Sequence, residues 1–239
     1  MASNRITILT HKTGGIIDKN VKLMDELSDE EISHKMIKAA RYGTPMMELG
    51  NGLPKIMLTA GVHGNELPPQ IAAMWLLEDL YDKKLNGTIY VVPFAVPNAT
   101  MNNSRRFKGF DMNRSASKNG SPTNKILKAT VNLGVVSIAD FHSTKPGSNP
   151  GIESVFCSKK PCSESLKIAE HITTINSSKV ICHNNAGAMY SGALEDECNL
   201  KYVAAVTCEV VSENCTVRRG SAERSYSQMI TYLKYFDII

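Results

Sequence analysis

Residues 56–70 read IMLTAGVHGNELPPQ, and this stretch decides the fold. The apolar run from Lys55 to Ala60 has the length of a short buried strand, Gly61 and Gly64 let the chain turn, and Pro68 and Pro69 fall where the first turn of a helix accepts proline. His63 and Glu66 are thereby placed on the loop at the carboxyl end of a strand. An imidazole nitrogen and a carboxylate oxygen are both ordinary zinc ligands, and catalytic zinc sites commonly take two His and one carboxylate with the fourth position left to water. A third ligand must then come from elsewhere in the chain. Taken alone, the pair reads more readily as a polar surface loop.

Outward from this stretch the chain alternates strands and helices. Upstream, Arg5 to Thr10 predicts a first strand at a sheet edge, and Met46 to Leu49 a short strand before the turn Gly50-Asn51-Gly52. Between them, Ser28 and Glu31 have the spacing of a capping box, with Leu27 and Ile32 as its hydrophobic staple, for a helix over Asp29 to Arg41. Downstream, Pro69 to Tyr81 predicts an interior helix, and Thr88 to Val92 a β-branched strand ended by Pro93. Asn98 to Gly120 is polar, basic and without periodicity, and so long a loop within a domain is usually functional. A helix from Ser121-Pro122 to Leu133 leads to the strand Val135 to Ala139, which delivers Asp140 and His142 at its end. Strands over Ser154 to Cys157 and Lys179 to Cys182 flank a helix from Ser163 to Ile175; Val203 to Val210 is a further strand, and Glu223 to Phe236 a closing helix. The pattern predicts one α/β domain over residues 1–239 with a mixed, mostly parallel sheet. In such sheets ligands gather beyond the carboxyl ends of the strands, where two such loops can face one another.

Composition bounds the rest. Of 239 residues, 42% are hydrophobic and 21% charged, an ordinary globular balance. A net charge of +4 is too small and too evenly spread to call for nucleic acid or a membrane surface. No apolar run reaches the ~20 residues of a membrane span, and the N-terminus, MASNRITILTHK, lacks a leader core, so a cytoplasmic protein is expected. The six cysteines, 157, 162, 182, 198, 208 and 215, contain no CxxC pair and are read as free, mostly buried thiols. Oligomeric state is not legible.

Three further stretches complete the site: RFKGFDMNR at 106–114, DFHS at 140–143 and VTCEV at 206–210. With GVHGNE at 61–66, and in this order, they resemble the zinc carboxypeptidase superfamily, and more closely its branch of succinylglutamate desuccinylases and aspartoacylases. The resemblance spans Lys55 to Val211. It implies a three-layer α/β sandwich and one zinc ion held by His63, Glu66 and His142. Of the other histidines, His34 and His171 lie within predicted helices, whereas His142 ends a buried strand and so lies with the first loop.

The same resemblance assigns further roles. Asp111 holds the first histidine, as carboxylates commonly do for metal-bound imidazoles. Asp140 could do the same or cap local backbone. Arg106 steadies the oxyanion, with Arg105 one position away as the alternative, and Asn113 with Arg114 binds a substrate carboxylate. Glu209, at the end of an apolar strand, is the general base, with Glu213 as the alternative acid. The expected activity is zinc-dependent hydrolysis of an amide in a small anionic substrate, foremost deacylation of an N-acyl amino acid. A metallocarboxypeptidase acting on short peptides stands second and a non-catalytic binding domain third. The chain departs from the family in two places. Only thirty residues follow Glu209, so the β-rich C-terminal extension of aspartoacylases is not expected, and neither Tyr190 nor Tyr202 sits in a motif that marks the carboxypeptidase tyrosine.

Overall fold

In a computed structural model of the chain, which describes residues 4–239, the apolar runs pair into one sheet. Met1 to Ser3, which open the stretch read for a leader, lie outside the described residues. Among the described residues ten strands are formed: β1 (Arg5–Ile8), β2 (Pro45–Asn51), β3 (Lys55–Ala60), β4 (Gly87–Val92), β5 (Arg106–Phe107), β6 (Phe110–Asp111), β7 (Ser137–Thr144), β8 (Ser154–Lys160), β9 (Lys179–Asn185) and β10 (Ala204–Val211). Eight of them make a mixed sheet in the order β1-β2-β4-β3-β7-β10-β8-β9, and β5 and β6 form a separate hairpin. The central run β4-β3-β7-β10 is parallel, as the alternation of strands and helices predicts, while β1, β2 and β8 are antiparallel to their inner neighbours. β9 runs parallel to β8 at the far edge.

The period-two alternation of the central strands fills two cores, one on each face. Ile56, Leu58, Ala139, Phe141, Val206 and Cys208 pack on one side against the helices Glu31–Ala40, Leu67–Leu80, Glu164–Asn176 and Ser221–Tyr235. Met57, Ile138 and Ala205 point to the other side, under Pro97–Met101, Pro122–Asn132 and Leu194–Asn199. The result is the three-layer sandwich. Because parity is fixed along a strand, Asp140 and His142 share the face of Ile138, and Thr207 and Glu209 that of Ala205. Among the described residues no helix is long and apolar enough to cross a membrane, and the six cysteines form no disulfide.

Four local expectations change. The capping box does not form: the helix begins at Glu31 with no side-chain cap, because Ser28 donates its hydroxyl to Glu78 on the neighbouring helix, 2.6 Å away. β7 continues past Ala139 to Thr144, since β10 offers Thr207 to Val211 as ladder partners, so Asp140 and His142 lie within the strand. The long stretch from Asn98 to Gly120 is largely structured, with a short helix, the β5–β6 hairpin and a 3-10 turn over Met112–Arg114. Its hairpin closes through Lys108 and Gly109, both at positive φ (51° and 82°), as a tight two-residue turn requires. Finally, Leu194–Asn199 is a helix where the sequence shows no periodicity.

Candidate active site

The loop after β3 is brought to the site by backbone packing. Gly64 lies so close to the Ala99 and Thr100 backbone that any Cβ would collide with it, which presses His63 and Glu66 against the helix Pro97–Met101. Glu66 precedes the Leu67–Leu80 helix, and Gln70 from its first turn donates to the Glu66 carbonyl at 2.7 Å. His142 arrives from β7, two strands' ends meeting as adjacent members of the sheet. His63, Glu66 and His142 are all buried, and one ligand atom from each lies within 4.8 Å of the others.

Their pairing identifies which nitrogens face inward. His63 Nε2 is 2.8 Å from Asp111 Oδ1, and His142 Nε2 is 2.8 Å from Asp140 Oδ2. Asp140 is itself fixed by the Thr59 hydroxyl at 2.7 Å, and Asp111 by the Asn113 amide at 2.9 Å. Each outer carboxylate accepts the Nε2 proton, which leaves Nδ1 of each ring facing inward and free to lose its own proton to a metal. The two Nδ1 atoms then converge on Glu66, His63 at 2.8 Å from Oε1 and His142 at 2.8 Å from Oε2. A buried carboxylate facing two imidazole nitrogens calls for positive charge beside it, as protons on the rings or, with those protons released, as a divalent cation that two imidazoles and a carboxylate could hold.

The electrostatics agree. Burial opposes ionisation of Glu66, yet the adjoining His63 and His142 hold its carboxyl well below the ordinary range. Burial likewise disfavours charging His142, but Asp140 and Glu66 outweigh it and raise the imidazole well above its usual value. Glu209 behaves in the opposite way. It stands opposite His142 in the β7–β10 ladder, its Oε2 is enclosed without a hydrogen-bond partner, and burial pushes its carboxyl up to about 8, against the pull of His142. The alternative acid, Glu213, is exposed beyond the strand.

A cavity of about 370 Å³ opens over the cluster, the size of a small-molecule site. His63, Glu66, His142, Glu209, Asn113 and Arg114 all line it. Arg106 does not: its guanidinium turns back to the Gly109 carbonyl at 3.2 Å within the hairpin. Arg105 takes the place expected of it, with Nη1 3.0 Å from Glu66 Oε1 and Nη2 3.4 Å from Asp111 Oδ2. The reason is the hairpin, since Arg106 is the strand residue paired with Asp111 and Arg105 precedes it on the chain side nearer the metal cluster. The Asn113 side-chain carbonyl accepts from the Leu194 amide at 3.1 Å, leaving its NH2 for a ligand, and the Arg114 guanidinium lies 4.9 Å over the Tyr190 ring. Tyr190 lines the cavity, whereas Tyr202 is 78% exposed. Glu195, Ser143 and Phe156 also line it, and none of the three was singled out from the sequence. Only the apolar, short-strand context of Phe156 carried any local signal.

Residues 52–224 match the family described as the succinylglutamate desuccinylase/aspartoacylase catalytic domain. The chain belongs to that family. It is thereby a member of the zinc carboxypeptidase-like superfamily, as the four motifs implied. Among solved structures with the same fold, a succinylglutamate desuccinylase from Silicibacter sp. TM1040 aligns at 17% identity and a TM-score of 0.65, over 83% of this chain and 63% of that one. A succinylglutamate desuccinylase/aspartoacylase from Rhodobacter sphaeroides aligns at 16% identity and 0.63, over 84% and 62%. The product-bound cell shape determinant protein Csd4 from Helicobacter pylori aligns at 18% identity and 0.64, over 82% and 56%. This desuccinylase/aspartoacylase-family chain therefore spans about three fifths of the length of the structures it resembles. No curated protein matches its sequence.

Proposed function

We propose that the protein is a zinc-dependent hydrolase that removes the acyl group from a small N-acyl amino acid. The observation that carries this reading is the convergence of His63 Nδ1, His142 Nδ1 and the Glu66 carboxylate beside the unpartnered carboxylate oxygen of Glu209. Membership of the desuccinylase/aspartoacylase family supports it. His63, Glu66 and His142 are the residues that would hold the ion, one per chain. Zinc held there supplies Lewis acidity, polarising a carbonyl and making water acidic near neutral pH.

The chain's own groups do the rest. Glu209 takes a proton from the attacking water and returns it to the leaving nitrogen, a role suited to a carboxylate whose proton affinity burial has raised. Arg105, already poised on Glu66, donates to the oxyanion as the carbonyl becomes tetrahedral. Arg114 and the free amide of Asn113 hold the substrate's carboxylate in paired, charge-assisted hydrogen bonds. Asp111 and Asp140 keep both imidazoles aimed inward.

Tyr190 on the cavity wall is the one observation that favours a metallocarboxypeptidase. Zinc analysis of protein purified without chelator, followed by a panel of N-acyl amino acids and short peptides, tests both. Stoichiometric zinc that is lost in His63→Ala, with cleavage of N-acyl amino acids, is the expected result. Cleavage of peptides alone selects the carboxypeptidase. Protein that binds no zinc sinks both, and leaves the binding domain.

A further inference from the structure

The cavity holds a second buried acid that the hydrolytic reading does not use. Glu195 is 5% exposed, lines the cavity, and its Oε1 has no hydrogen-bond partner among the described residues. Its neighbour Asp196, 3% exposed, takes the Ser158 hydroxyl at 3.3 Å. Neither carboxyl enters an ion pair with a Lys, Arg or His of the described chain. Two adjacent buried carboxyls without a cation are costly if ionised, and burial, then Asp196, raises the Glu195 carboxyl well above its ordinary range.

The sheet register locates this acid relative to the metal cluster. On the face that carries the site, His142, Glu209 and Ser154 form one row, and Asp140, Thr207 and Phe156 the next. Same-face rows are two residues apart, about 7 Å along a strand. Thr207 and Phe156 line the cavity with Glu195, and Asp196 binds Ser158 in the row beyond. From the metal row to Glu195 is thus the reach of an extended amino-acid side chain. Phe156, packed edge-on to Tyr190 with ring centroids 5.8 Å apart, gives that path an aromatic wall, which suits a methylene chain ending in a cation. Arg105 and Arg114 line the same cavity, so positive and negative groups are both built into it.

The geometry points to a cation subsite at Glu195, Thr207 and Phe156 that receives the ammonium of a basic side chain, so that the substrate is the N-acyl derivative of a basic amino acid. This inference rests on the deacylase reading for the scissile bond and adds the identity of the amino acid. The substrate's carboxylate lies at Arg114 and its ammonium supplies the partner that Glu195 Oε1 lacks.

Lysine and norleucine, which share a chain length and differ by one ammonium, separate the possibilities. Calorimetric titration of the zinc-loaded protein is expected to show lysine binding roughly tenfold or more tighter than norleucine, the scale of one charge-assisted hydrogen bond. The ratio of kcat/KM for Nα-acetyl-lysine over Nα-acetyl-norleucine should match it. Glu195→Gln, which keeps shape and neutral hydrogen bonding but removes the charge, should bring both ratios near one without changing zinc content. Norleucine binding as well as lysine in the unaltered protein overturns the subsite, as does a preference that survives Glu195→Gln. Lysine-selective binding with no cleavage of any N-acyl amino acid upholds the subsite and rejects the deacylase reading. Cleavage with no preference does the reverse.

Discussion

The two halves of the site are built differently. His142, Asp140 and Glu209 stand on neighbouring central strands, the first two buried and Glu209 half-buried, all fixed by a ladder that pairs Glu209 with His142 and Thr207 with Asp140. Arg105, Asp111, Asn113 and Arg114 stand on the hairpin and turn after Pro97–Met101, where Arg105 and Arg114 are exposed enough to move. A strand aims every second side chain the same way, so placing one residue places the next pair. A hairpin with two-residue strands gives no such guarantee, and there a shift of one position exchanges Arg105 for Arg106.

Substituting the two arginines tests the loop half and should give the largest effect. Arg105→Ala is expected to lower kcat/KM by about 10²–10³, the usual loss for one oxyanion donor. Arg106→Ala, whose guanidinium is tied to the Gly109 carbonyl, should leave activity within about threefold of the parent, since surface changes of this kind are usually small. Steady-state kinetics on one N-acyl substrate decides the matter, and the reverse ranking would return the role to Arg106.

The outer carboxylates set the strand half against the loop half directly. Losing such a partner typically weakens metal affinity ~10–100-fold. Asp140→Asn should fall at the upper end of that range and Asp111→Asn at the lower, because the Asp140 side chain is 1% exposed and that of Asp111 18%. Competition with a chelator of known affinity measures both. Equal losses would mean that burial of the carboxylate contributes nothing to holding the imidazole.

A third test reads stability rather than rate or affinity, and concerns Glu209 in the metal-stripped protein. Its carboxyl is pushed up to about 8 when folded, against ~4.3 for an unperturbed Glu. Between those values the folded chain keeps a proton that the unfolded chain has released, so this group's contribution to stability is full below the unfolded value and is lost as pH rises toward about 8. Gln does not titrate. The Tm of Glu209→Gln minus that of the parent should therefore grow from about pH 4.5 to 8 and then level. A difference that is flat with pH would show that the carboxylate is solvated in the folded chain.

How much was legible follows the same division. The strands β3, β4, β8, β9 and β10, the interior helix after Glu66 and the closing helix were readable because apolar periodicity reports burial directly. His63, Glu66 and His142 stood out as a ligand set, and the folded chain brings them within 4.8 Å of one another. Asp140 had two equal readings in the sequence, and the structure gives it the His142 imidazole and the Thr59 hydroxyl together. The capping box was a sound local signal that lost to a tertiary one, since Ser28 could reach Glu78 only once two helices had packed. Residues with no periodicity around them, Arg105 in a short hairpin and Glu195 in a six-residue helix, gave no sign of where they would point.

The amino-acid sequence by itself determined the order of strands and helices, the burial of the central strands, and the residue types offered at the strand ends. These follow from local propensity and from the fixed period of a strand, which need no knowledge of what lies across the gap. Only the tertiary structure decided that Arg105 rather than Arg106 faces Glu66, that both outer nitrogens are held by carboxylates, and that Glu195 is sealed against the same cavity without a partner. Each of those depends on distances between segments far apart in the chain, and such distances are set by packing rather than by any residue's immediate neighbours.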